Sequence, residues 1–73
     1  MISQKFKSVV LNALDLDDFN FTDSTLASDV PGWDSLNHVK VLVAVEKAYG
    51  IRLKGREILG LKNVHDLQEL VEK

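Results

Sequence analysis

The sequence predicts an all-α fold, a four-helix bundle with three main helices, one short third helix and a long first loop. Two observations predict it. Apolar residues recur at helical spacing near both ends of the chain. Between them, an apolar run of about 15 residues is bounded by Asp34-Ser35 and Gly50, residues that start and stop helices. At 73 residues, one domain over 1–73 is expected.

The first helix takes Ile2, Phe6, Val9, Val10, Ala13 and Leu14 as one apolar stripe, with Ser3 as its N-cap. Asp15, Asp17 and Asp18 suit its C-terminus poorly, because negative charge opposes that end of the helix dipole. The helix is therefore expected to stop near residues 14–16. Residues 17–34 form the long connection. Its aromatics Phe19, Phe21 and Trp33 are expected to lie over the core. Val30 precedes Pro31 and is biased to extended backbone, and Pro31-Gly32 makes a turn.

Residues 35–49 carry two patterns. Val39, Val41, Val43 and Val45 alternate as in a strand. Length, an N-cap at Asp34 or Ser35, and Gly50 at the C′ position favour a helix. Residues 51–54 read as extended and 56–59 as a single helical turn. Asn63 caps a last helix bearing Val64, Leu67, Leu70 and Val71.

A chain this short buries one modest core, which disfavours a deep, walled active site and favours a binding or carrier module. Without cysteine there are no disulfides, thiolate zinc sites or thiol nucleophiles. The start of the chain does not read as a signal peptide, no apolar run is long enough for a membrane span, and cytoplasmic residence is expected. The net charge of −2 is unevenly placed. Residues 1–34 carry a net −4, residues 35–60 a net +3, and residues 61–73 a net −1. The basic middle lacks the aromatic interleaving of a nucleic-acid surface and reads as a protein-partner surface.

The stretch VPGWDSLNHV (30–39) holds the candidate chemistry. Ser35 sits at a helix N-terminus, facing the positive end of the dipole and free backbone N–H groups. His38, three residues on, could pair with Ser35 as a base, but nothing nearby in sequence orients it. Both His38 and His65 read as solvated surface residues. Two distant histidines make no zinc site. Trp33 reads as a loop anchor.

Gly32-Trp33-Asp34-Ser35-Leu36 opening a helix, then Glu46 and Tyr49-Gly50-Ile51-Arg52-Leu53, resembles the acyl carrier proteins over nearly the whole chain. The Gly-Asp-Ser-Leu esterases are a poorer match, since Trp33 interrupts that run. The resemblance implies a non-catalytic carrier with the acyl-carrier fold. Its Ser35 would hold 4′-phosphopantetheine, transferred from coenzyme A by a phosphopantetheinyl transferase, with Asp34 as the neighbouring cap. It implies acyl cargo passed among enzymes such as a ketosynthase or acyltransferase, in fatty-acid, polyketide or related biosynthesis. The docking face would hold Leu36, Val39, Lys40, Val43, Glu46, Lys47 and Arg56, and the cargo interior Val41, Leu42 and Val45. A monomer is expected. Lys40, Lys47 and the LKGREI segment (53–58) are basic where the family is often acidic, which implies dedicated partners rather than a housekeeping synthase. Two other readings stay open: an aminoacyl or peptidyl carrier with the same arm, and a cofactor-free helical adaptor.

Overall fold

The computed structural model describes residues 1–61 and 63–72. Four helices follow in order: α1 (Gln4–Leu14), α2 (Ser35–Tyr49), α3 (Gly55–Leu59) and α4 (Val64–Val71). A 3₁₀ turn, Ala27–Asp29, interrupts the connection between α1 and α2. Among the described residues there is no strand, and no helix is long and apolar enough to cross a membrane.

Helix α1 begins at Ser3, whose Oγ accepts from the Phe6 N–H. It ends at Leu14 because Asp15 takes a left-handed conformation (φ 56°), and Leu16 N–H closes back on the Leu11 carbonyl. That closure satisfies carbonyls the helix end would otherwise leave open. Phe6, Val10 and Leu14 face inward and are buried. The largest helix–helix contact joins α1 to α2.

The valine alternation of α2 resolves into two faces of a helix. Val41 and Val45, four residues apart, are fully buried with Leu42 beside them. Val39 and Val43, also four apart, point to solvent. The alternation therefore reflects a helix that is apolar on two sides. Gly50 ends it at φ 65°, a left-handed value that glycine adopts without penalty. Glu46 folds its carboxylate onto the Leu53 N–H at 2.7 Å, holding the chain that leads to α3.

The long connection is more structured than the sequence suggests. Asp29 caps its 3₁₀ turn by accepting from the Leu26 N–H. Phe19 and Phe21 meet edge to face at 5.0 Å. Thr25 is buried, takes the Thr22 N–H on its hydroxyl, and offers its carbonyl to the Val64 N–H. That last bond ties the loop to the start of α4, which Asn63 caps through the Asp66 N–H.

The two chain ends and α2 meet around α4. Gln68, buried and absent from the sequence-based core, accepts from Ser3 N–H and donates to the Met1 carbonyl. Glu72 accepts from both Ser3 Oγ and Tyr49 OH at 2.5 Å. The Ser3 bond, then the Tyr49 bond, hold the Glu72 carboxyl below its ordinary range. In turn, burial and the Glu72 carboxylate push the Tyr49 hydroxyl up to about 12.

Candidate functional site at the start of helix α2

The turn before α2 is built by Val30-Pro31-Gly32-Trp33. Pro31 presets its own φ, Gly32 sits at φ 80°, and Trp33 N–H bonds the Val30 carbonyl at 3.2 Å. This is the geometry of a type II turn, whose third position demands positive φ. Val30 is buried and anchors the turn to the core. The chain therefore arrives at Asp34 in one defined direction.

Asp34, not Ser35, is the N-cap. Its Oδ1 accepts from the Asn37 N–H at 2.8 Å, and its carbonyl takes the first helical bond from His38. Asn37 adds a brace by donating its side-chain amide to the Gly32 carbonyl at 2.6 Å. Ser35 is left as the first helical residue, exposed to solvent. The first-turn N–H groups and the helix dipole favour an anion attached at this hydroxyl.

His38 corrects the sequence reading. It is half-buried, and its Nδ1 accepts the Trp33 indole N–H at 2.9 Å. A ring accepting at Nδ1 is, when neutral, protonated at Nε2. Nδ1 is thereby engaged with Trp33 rather than offered to Ser35 as a base. His65 is likewise half-buried, between the Met1 amino group and Glu69. Neither histidine is the freely solvated side chain that sequence alone suggests.

Trp33 and His38 stand at the junction of two recesses. One is a shallow depression in which Ser35 and Asp34 adjoin Ala27 and Ser28. The other is a cleft of about 160 Å³ lined by Ala27, Trp33, His38, Ile58, Leu61, Asn63, Val64 and Leu67. The two share Ala27, Trp33 and His38, so the cleft opens beside Ser35. Val41, Leu42 and Val45 do not line it. They are packed in the core cluster. The cleft's walls were missed because they come from four separate segments, and no periodicity in one segment signals that they converge.

On the outer side of α2, Leu36 (71% exposed), Val39 (57%) and Val43 (41%) form an apolar stripe beside Lys40 and Lys47. Arg56 is exposed on α3. Glu46 is half-buried and held by Leu53, which turns its carboxylate toward the fold.

No family model matches the chain. An acyl carrier protein of Phytoplasma australiense is 27% identical over 73 residues, covering all of this chain and 96% of that protein. The solution structure of a holo acyl carrier protein from Geobacter metallireducens superposes with a TM-score of 0.83. It is 36% identical, covering 92% of this chain and 77% of that one. Identity at that level over most of both chains, on the same helical architecture, shows that the chain belongs to the acyl carrier protein family.

Proposed function

We propose that this chain is a carrier modified at Ser35 with 4′-phosphopantetheine by a phosphopantetheinyl transferase. The observation that supports it most is the placement of Ser35: an exposed hydroxyl on the first residue of α2, delivered by the Pro31-Gly32 turn and separated from capping by Asp34. The residues present fit such a group. The helix N-terminus favours a phosphodiester, and the cleft beside it offers apolar walls. In the transfer, Ser35 Oγ would bond to the pantetheine-side phosphorus of coenzyme A while the bond from that phosphorus to the bridging diphosphate oxygen breaks; the serine proton would go to a base of the transferase and adenosine 3′,5′-bisphosphate would leave. When bound, the group supplies a terminal thiol that carries acyl groups as thioesters.

The chain's own residues then position the arm and receive the cargo. At about 160 Å³, the cleft lies below the usual range for drug-sized ligands and suits a short chain. Val41, Leu42 and Val45 form the packed interior that a longer chain would have to displace. Leu36, Val39, Lys40, Val43, Glu46, Lys47 and Arg56 face or border the partner enzymes, which would include an acyl-loading and an acyl-accepting enzyme such as a ketosynthase. The basic character of that face supports a dedicated pathway over a housekeeping one.

The test is mass spectrometry after incubation with coenzyme A and a broad-specificity transferase. A gain of one phosphopantetheine, absent in Ser35→Ala, is the expected result. Failure to gain mass beside a control carrier that does would refute the reading.

A further inference from the structure

The outer face of α2 is apolar where solvent should make it polar. Leu36, Val39 and Val43 recur at one-turn spacing and flank Lys40 and Lys47, all five lining one shallow groove. β-branched residues are mediocre helix formers, so exposed Val39 and Val43 bring neither burial nor propensity to this chain. A contiguous exposed apolar stripe rimmed by charge marks an interaction site. The groove continues past Val43 and Lys47 into a second depression that adds Ile51 and Arg52.

Charge decides what fits there. Among the described residues, Lys40, Lys47 and Arg52 take part in no ion pair. Glu46, the acid that shares the second depression with Lys47 and Arg52, turns its carboxylate onto the Leu53 N–H, and its single charge leaves the three cations in excess. The stripe thus offers three unpaired cations around an apolar seam, and it starts one residue after Ser35. From Leu36 to Lys47 it runs about 16 Å along the helix, at 1.5 Å per residue.

We infer that this face docks onto a protein surface of the opposite character, an apolar recess rimmed by aspartate and glutamate. That the partner is an enzyme receiving the Ser35 arm rests on the carrier reading above. An acidic rim draws in the cations and raises the encounter rate. A basic rim is repelled, which excludes carriers' partners built for acidic faces. A protein fits better than an anionic membrane because the seam is a single row of three exposed apolar side chains along the helix, and Arg52 stands off the helix in the loop beyond it.

The test uses the ¹⁵N-labelled full chain and two helical peptides with the same leucine face, one rimmed by glutamate and one by lysine. Phosphatidylglycerol vesicles and a dilution series complete the set. The glutamate peptide is expected to shift the amides of Leu36, Val39, Lys40, Val43 and Lys47 and to bind at least about tenfold tighter than the lysine peptide. The preference should collapse near 0.5 M salt, where the screening length falls to roughly 4 Å. It should invert in the Lys40→Glu/Lys47→Glu double variant. Equal affinity, no binding of either peptide, or shifts elsewhere on the fold would overturn the inference. So would shifts of this face caused by the vesicles, or by concentration of the protein alone. The mass gain at Ser35 is independent of these cations. Peptide binding without that gain would sink the carrier reading and leave the surface standing.

Discussion

Asp34 and Gly32 do separate work for Ser35, and each can be removed alone. Asp34→Ala should cost about 1 kcal/mol through loss of the cap, whereas Asp34→Asn keeps an acceptor oxygen and most of that stability. Denaturant midpoints would show the difference. If Asp34→Asn loses phosphopantetheine uptake while remaining as stable as the parent, the carboxylate also serves the transferase. Gly32→Ala meets no neighbour, since nothing lies within 4 Å of an added Cβ. Its cost comes from φ 80°, about 1–2 kcal/mol for a residue with a side chain. At the neighbouring pair, His38→Leu removes the acceptor for the Trp33 indole. The emission of Trp33 should shift and its quenching by acrylamide should rise.

At the scale of elements, α2 separates stability from surface. Val41→Ala opens a void in the core and should cost on the order of 2 kcal/mol, combining lost transfer energy with a cavity. Val39→Ala on the opposite face should fall within about 0.5 kcal/mol of the parent. Chemical denaturation of both variants checks the contrast; equal costs would contradict the two-faced helix. Helix α4 brings a pH dependence. Glu72 has its folded pKa depressed below 4.5, chiefly by the Ser3 hydroxyl and then by Tyr49. A depressed carboxyl contributes stability that is complete above its ordinary value and is lost as pH falls through the folded one. Tyr49 has the opposite shift, from 10.0 to about 12, so its contribution is complete below 10.0 and is lost as pH rises toward 12. Glu72→Gln should flatten the acid flank of the stability–pH curve and only weaken the alkaline one, because burial, the larger cause, still raises Tyr49. Asp18 and Asp23, depressed by bonds to Lys7 and to the Met1 amino group, keep part of the acid flank in that variant.

For the whole molecule, one small core carries four helices and a long loop. A chain of this length has roughly 4–11 kcal/mol of total stability. Phe6→Ala removes the largest fully buried side chain and should cost about 3–5 kcal/mol, enough to leave the variant partly unfolded at 37 °C. Circular dichroism melting would show a lowered or missing transition. The peripheral tie through Gln68 joins the start of α1 to α4, and Gln68→Leu should loosen that end without exposing the core.

The sequence by itself determined what depends on near neighbours. Helix periodicity, the caps Ser3, Asp34 and Asn63, and the glycines at positive φ are decided within a few residues, so the all-α architecture and the exposed placement of Ser35 could be read directly. Even the misleading valine alternation was resolved by its local bounds. What only the tertiary structure decided depends on segments that meet from far apart. The Thr25–Val64 bond and the Gln68 and Glu72 ties each complete a contact whose partner a linear reading does not identify. The cleft beside Ser35 exists because α3, α4 and the first loop converge on the start of α2. A cavity is the space left between packed elements, and no single stretch of chain encodes it.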